Sequence, residues 1–392
     1  MDLDLSPADR IFRDEVRAFL DENLPPDLAE AGRRCTGIYN DYPEANAWHR
    51  ILARRGWSVP HWPVDQGGCG WSPMQHYIFD LECALAGAPA ITPNATHMVA
   101  PVLMAFGTEE QKSRYLPRIA SGEDWWAQGY SEPGSGSDLA SLRCAAVADG
   151  DDYIINGSKI WTTHAHFSNQ MFCLVRTARA EKPQVGISFL VFSLDRPGIE
   201  IRPIISISGD HELNEVFFTD VRVGKSSLVG RENDGWTVAK YLLQHERGHC
   251  WSPLLHARFQ RMHRRLAASE AERDPLDHQL LQLRLAHVGA RLSAFEMCEL
   301  RLIEGQEGGT PLSSSASSMN KIIGTELRQD MTWLAMEIEG SGSFPAEAAE
   351  PELVDAADAI RSYLNDRAAS IYAGTNEVQR NIVAGGHMRQ AK

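Results

Sequence analysis

"WAQGYSEPGSGSDLASL", residues 126–142, is the stretch on which the reading of this chain turns. Pro133-Gly134 signals a turn, and Gly134 and Gly136 offer a backbone that can approach a ligand closely. Ser131, Ser135, Ser137 and Asp138 supply polar contacts. Taken alone, a Gly/Ser-rich turn is more often just a connection between domains. Its company argues for more. Further on, "NGSKIWTTHA" (156–165) sets Trp161 beside Thr162 and Thr163. An aromatic ring and hydroxyls together suit the face and edge of a planar cofactor.

Outward from that stretch the texture is β. "YIINGSKIW" (153–161) holds Asn156-Gly157, which predicts a hairpin turn between two β-rich runs. "MFCLVRT", "GISFLVFSL", "IEIRPI" and "NEVFFTDVRV" follow as strands separated by polar or Pro-Gly turns. Towards the N-terminus the texture is helical. Ser6 and Pro7 start a helix over 7–22, with Ile11, Phe12, Val16, Phe19 and Leu20 at helical spacing. Further helices are predicted at 45–55, 74–86 and 97–106, with a loop at 59–73. Within 107–123, Thr108 caps a short helix with Gln111 as its box partner. Beyond Gly235, helical patterns run through 236–270, 275–306 and 314–339, with a weaker one at 352–370. The fold class is therefore α+β: helices over 1–123, a β-barrel or sandwich over 124–235, and a four-helix bundle over 236–392.

Composition narrows the function. A chain of 392 residues needs more than one ordinary core. The net charge of −14 and the lack of a basic stripe exclude a general nucleic-acid binder. No apolar run is long enough to insert in a membrane, and the acidic start is unlike a signal peptide. Seven cysteines without a C-x-x-C pair suit reduced thiols in a cytoplasmic protein. His245 and His249 share a helix face, but no acid–His cluster completes a metal site, so no metal is expected. Trp125-Trp126 reads as packing.

The helical–β–helical order with "YSEPGSGSD", "INGSKIWTT", "DVRV" and "GTNEVQR" resembles the acyl-CoA dehydrogenase superfamily over nearly the whole chain. "HWPVDQGG" and "SIYAGTNEVQRNIV" are most similar to a bacterial branch containing pimeloyl-CoA dehydrogenase subunits. The resemblance implies FAD held between the β domain and the C-terminal helices. It implies that Gln128, Tyr130, Ser131, Trp161 and Thr163 lie along the flavin, and that Thr375 and Glu377 also touch FAD. Ser137 would meet the CoA portion of an acyl-CoA substrate, and the acyl chain would enter near Met98 and Val99. An electron-transfer flavoprotein is the implied acceptor, and a homo- or hetero-tetramer the implied assembly.

The family's reaction takes a proton from the α carbon and a hydride from the β carbon, so it needs a carboxylate base with a raised pKa. Many members carry that Glu just before the final Gly-Thr, where this chain has Ala373. In "GWTVAKYLLQHERGHC" (235–250), position 246 is four after Leu242 and three after Leu243 on the apolar stripe, and it is Glu246. Periodicity alone leaves open a surface acid paired with a basic neighbour. The resemblance settles on the base, because the isovaleryl-CoA dehydrogenase type combines a helix-borne Glu-Arg pair with Ala before Gly-Thr. Here Glu246-Arg247 and Ala373-Gly374-Thr375 show both halves. Arg247 is then expected beside the substrate, and the Ala373 backbone N–H at the thioester carbonyl.

Two stretches depart from the family. An Arg-x-x-Phe-Gly motif that helps hold a neighbouring subunit's FAD is replaced within "ERDPLDHQLLQLRLAHV" (272–288). Gln-x-x-Gly-Gly survives only as "EIEGSGSF" (337–344), with Glu337 for the Gln, and an acid facing a pyrophosphate is unfavourable. The departures suit a hetero-oligomer or a homo-oligomer with altered adenine-end contacts. Two alternatives to the dehydrogenase stay open: a non-catalytic partner subunit of a heteromer, or, since the motifs do not exclude oxygen access, an oxygen-using acyl-CoA oxidase or flavin monooxygenase of the same fold.

Overall fold

A computed structural model describes residues 5–246, 250–309, 313–340 and 354–390. The N-terminal part holds six helices: α1 (Pro7–Asn23), α2 (Pro26–Arg33), α3 (Tyr42–Arg55), α4 (Pro73–Ala86), α5 (Ala100–Phe106) and α6 (Glu109–Ser121). Ser6 caps α1 through the Asp9 amide, with Pro7 at the first position. Thr108 and Gln111 form the expected capping box on α6. The Gln111 amide also donates to the Ser226 and Leu228 carbonyls, at 2.7 and 2.9 Å, so the cap ties α6 to the sheet. α2 is absent from the sequence reading, because eight residues after a double proline carry too little periodicity.

The predicted helix at 97–106 is preceded by a π-helical turn, Asn94–Val99. The Met98 amide reaches the Pro93 carbonyl at 3.1 Å. The Asn94 side chain donates to the Trp126 carbonyl at 3.0 Å, fixing this turn to the first strand.

Eight strands follow: β1 (Trp126–Gly129), β2 (Ala145–Asp149), β3 (Asp152–Lys159), β4 (Gln170–Arg176), β5 (Ile187–Ser193), β6 (Ile199–Ile204), β7 (Leu213–Gly224) and β8 (Leu228–Val229). They form one mixed sheet in the order β6-β7-β3-β2-β4-β5-β8, with β1 parallel to β4. Alternation along β4 and β5 separates two cores. Phe172, Leu174, Phe189 and Val191 face the helices. Met171, Cys173, Leu190 and Phe192 face a second core shared with Tyr153 of β3 and Val216 of β7. The sheet therefore curls around its own interior.

The Asn156-Gly157 pair is not the hairpin turn. The turn between β2 and β3 is at Gly150-Asp151, and Asn156-Gly157 lies inside β3 at a break in register with β7. Gly157 has φ +140°, and a β-carbon there would sit 2.8 Å from the Cys144 Cα, so the pair marks a bulge. Asn156 secures it by accepting from the Asp220 amide at 2.9 Å.

The C-terminal part comprises α7 (Gly235–Glu246), α8 (Ser252–Ala268), α9 (Pro275–Glu307), α10 (Ser314–Glu339), α11 (Val354–Asn365) and α12 (Asn376–Gln390). The continuous pattern expected over 236–270 is interrupted, since Cys250 and Trp251 are not helical. α8, α9 and α10 share a core including Leu255, Leu285, Leu292, Leu327 and Met331. α7 instead joins the first core, where Val238, Ala239 and Leu242 pack with Met98, Val99 and Trp126.

The 126–142 stretch is braced from within. The wholly buried Lys159 ammonium donates to Glu132 at 2.8 Å and to the Tyr130 carbonyl at 3.1 Å. Glu132 also accepts from the Arg143 and Cys144 amides at 2.7 and 2.9 Å. Glu132 and Ser135 exchange backbone hydrogen bonds at 2.9 and 3.0 Å, and the Ser135 hydroxyl donates to the Asp138 carbonyl. Removing one partner of such a pair strands a buried charge. Lys159→Met should therefore lower unfolding free energy by about 3–5 kcal/mol in denaturant titration, and an unchanged midpoint would refute the brace.

Candidate active site

Beside the Lys159 contacts, the end of β3 meets the 126–142 stretch through a hydrogen bond from the Ile160 amide to the Ser131 carbonyl at 2.9 Å. The chain then turns sharply. Trp161 has φ +60°, a left-handed conformation uncommon for an aromatic residue, and the residue is 57% exposed. Beyond it, Thr162 donates its amide to the Asn214 carbonyl at 2.9 Å, and the Asn214 side chain donates back to the Thr162 carbonyl at 3.0 Å. The His164 amide donates to the Glu212 carbonyl at 2.9 Å. Residues 161–164 are thus held by the lead-in to β7.

Glu212 links this strand end to the C-terminal helices. Its carboxylate accepts from the Ile38 amide at 2.8 Å and from the Asn365 side chain at 3.1 Å. Burial raises its pKa, against the hydrogen bonds from Asn365 and Ile38. Next to Asn365 lies Asp366, whose carboxylate accepts from Arg258 of α8 at 2.6 Å and pairs with Arg328 of α10 at 2.5 Å. Burial alone would raise this carboxyl, but the two guanidinium groups hold it below the usual carboxylate range.

Asp366 begins the connection that carries Ala373. Gln329 donates to the Asp366 carbonyl at 2.9 Å and to the Ser370 hydroxyl at 3.3 Å. Gln379, wholly buried, donates to the Ala373 and Gly374 carbonyls at 3.3 and 3.1 Å and accepts from Ser318 at 2.8 Å. Lys321 donates to Asn376 at 2.9 Å. With its carbonyls gripped by Gln379 of α12 and the Asn376 side chain held by Lys321 of α10, the turn keeps Ala373 at φ +53° and Gly374 at φ +82°. The Ala373 amide donates to no group among the described residues. A backbone donor fixed in a half-buried turn is suited to a developing oxyanion.

The expected site residues fall into groups. Ser131, Trp161 and Thr163 are drawn together by the Ile160 bond and the Asn214 clamp. Gln128 is half-buried on β1, opposite Phe172 of β4. Tyr130 turns inward and packs edge-on against Phe172 and Phe189. Met98 and Val99 are buried in the same core as Tyr130 and Leu242. Ser137 is exposed on the loop. Thr375 accepts from the Val378 amide at 3.2 Å, at the start of α12, and Glu377 is exposed with Arg380 3.6 Å away. Glu246 ends α7, one turn beyond buried Leu242, and its side chain lies outside the described residues. Arg247 and His249, and the side chain of His245, lie outside them too.

Glu132, Lys159, Glu212, Asn214, Arg258, Arg328, Asp366 and Gln379 escaped the sequence reading as site-building residues. Lys159 follows Asn156-Gly157-Ser158 at the end of β3, so nothing local marks it as a buried charge. One departure from the family is compensated. Glu337 pairs with Arg284 of α9 at 2.5 Å, which offsets its charge.

These groups fit a planar, hydrogen-bonding cofactor such as FAD. An exposed indole offers a ring face, and Ser131 and Thr163, both half-buried, belong to the two segments that meet beside it. The buried Thr162 hydroxyl has no hydrogen-bond partner among the described residues. No group of His, Cys, Asp and Glu among the described residues could hold a metal ion.

Comparison with known proteins places this geometry. Models of the acyl-CoA dehydrogenase N-terminal, middle and C-terminal domains match residues 6–123, 127–221 and 233–388. Acyl-CoA dehydrogenase IpdE1 of Mycobacterium tuberculosis is 37% identical over 382 residues, 95% of each chain. Among solved structures, the "Tcur3481-Tcur3483 steroid ACAD" is 30% identical with a TM-score of 0.86, covering 99% of both chains. The ChsE4-ChsE5 complex of Mycobacterium tuberculosis is 32% identical with a TM-score of 0.83, also over 99% of both. The chain belongs to the acyl-CoA dehydrogenase family, oxidoreductases that act on CH–CH bonds.

Proposed function

We propose that this chain dehydrogenates an acyl-CoA thioester between its α and β carbons, with Glu246 as the base. The observation that carries this reading is the pairing of two positions. The connection after α11 presents an alanine where an acid is the common choice, and α7 ends in a glutamate one turn past its buried stripe. Bound FAD, the cofactor of the family, would take the β hydrogen as hydride. The chain's own residues do the rest. The Glu246 carboxylate takes the α proton. The Ala373 amide donates to the thioester oxygen as charge develops there. Ser131, Trp161 and Thr163 hold the cofactor ring, with Gln128 and Tyr130 alongside and Thr375 and Glu377 further along it. Ser137 meets the CoA portion of the substrate, Arg247 supports the base beside the substrate, and Met98 and Val99 wall the acyl chain. An electron-transfer flavoprotein accepts the electrons. The steroid named for one similar structure supports a bulky acyl group.

Glu246→Gln should keep bound FAD yet slow substrate-dependent flavin bleaching by about 10²–10⁴-fold; bleaching at the wild-type rate would remove Glu246 from the chemistry. Proline at 373 would not isolate the amide, because φ +53° is closed to it. Replacing Ala373 with lactic acid, which exchanges the N–H for an ester oxygen, should lower kcat by about 10²–10³-fold. A kcat equal to wild type would show that this donor is idle.

A second chain is the favoured partner, because both of those similar structures carry two component names. Expressed alone, the chain should lack flavin's visible absorbance, and co-expression with a related subunit should restore colour and activity. A yellow, active assembly of this chain alone would overturn the heteromer.

A further inference from the structure

A cavity of about 450 Å³ lies among α2, α8, α10 and α11. Met262, Met331, Ala335 and Ile338 give it an apolar wall, and six arginines stand around it. Four of those arginines are neutralised. Arg33 pairs with Glu30 at 2.9 Å, Arg34 with Asp358 at 3.0 Å, Arg258 with Asp366 at 2.6 Å and Arg265 with Glu339 at 2.8 Å. Arg261 and Arg264 remain. Arg264 is exposed and needs no partner, whereas Arg261 is half-buried on the cavity wall and has no ion-pair or hydrogen-bond partner among the described residues. Burial, then repulsion from Arg258, pushes its guanidinium down to about 10, so it is still protonated at neutral pH.

A desolvated charge without a counter-charge destabilises a fold, and an anion in the cavity would offset that cost. The chemistry of the wall selects the anion. A guanidinium fork matches a carboxylate with two parallel hydrogen bonds, and the methionines and alanine beside it suit a hydrocarbon body. We propose that this cavity binds an amphiphilic carboxylate, with the carboxylate on Arg261 and the apolar body against Met262, Met331, Ala335 and Ile338. Ile338 and Glu339 of the 337–344 stretch also line the cavity, with Glu337 turned to Arg284 of α9 and Glu339 to Arg265 of α8. The site is joined to the reaction loop, because Arg258 lines the cavity and also holds Asp366.

The carboxylate can be a free acid or the far end of a thioester substrate. Calorimetric titration of the holoprotein with dodecanoate, with dodecanol as the neutral control, tests the site without any turnover. Dodecanoate should bind at least about 10-fold more tightly than dodecanol. Arg261→Met should lose at least about 10-fold in dodecanoate affinity and melt at a higher temperature, being relieved of a desolvated charge. Ala335→Phe, which fills the cavity with Arg261 intact, should lose binding as well. Equal binding of acid and alcohol, or wild-type dodecanoate affinity in both variants, would overturn the site. The KM of a carboxylate-ended acyl-CoA and of dodecanoyl-CoA then separates the two sources. A rise in R261M for the carboxylate-ended substrate alone identifies the substrate's far end, and no change in either identifies a free acid.

Discussion

Asp366 between Arg258 and Arg328 is the contact on which the reaction loop rests. The carboxylate is wholly buried, and so is Arg328 to within 2%. Neither charge could be held there alone, because burial of an unpaired ion costs several kcal/mol. Placed together they join three segments distant in sequence: α8, α10 and the connection that leaves α11. The backbone beyond Asp366 inherits that fixed start. Gln329 and Gln379 then satisfy its carbonyls from either side, so the left-handed Ala373 is over-determined by hydrogen bonds.

The β half of the site is built by the same means. Lys159 and Glu132 form a buried pair, but here the carboxylate also stops two backbone amides from being orphaned. The loop can be rich in glycine and serine because a charged group beneath it holds the chain in place. Glu212 ties the strand end to Asn365, next to Asp366. Trp161 and Ala373 belong to parts of the chain more than two hundred residues apart, and a short series of charge-assisted hydrogen bonds connects their supports.

The fold was largely legible in the sequence, where periodicity and capping residues act locally. Ser6 and Thr108 cap the helices expected of them, and the strand runs fall where β-branched and aromatic residues cluster. Errors arose where a local signal had a tertiary purpose. Asn156-Gly157 has the composition of a hairpin turn, yet the nearby Cys144 backbone and the Asp220 amide make it a bulge within one strand. The site was legible as a set of motifs, since Ser131, Trp161 and Ala373 stand in distinctive short strings. Its supports were not. Asp366, Arg328 and Glu212 gain meaning only from partners on other elements, and no spacing along the chain announces such a pair.

The core that α7 shares with the N-terminal helices has a consequence for how the chain is made. Val99 and Leu103 are wholly buried against a cluster that includes Leu242. During synthesis their partner emerges well over a hundred residues later. At ordinary elongation rates that is a delay on the order of 10–30 s. Through that interval the first helices expose an apolar face that the sheet covers only in part. The N-terminal segment therefore completes its packing only when α7 arrives, and its maturation is coupled to the same helix that ends in Glu246.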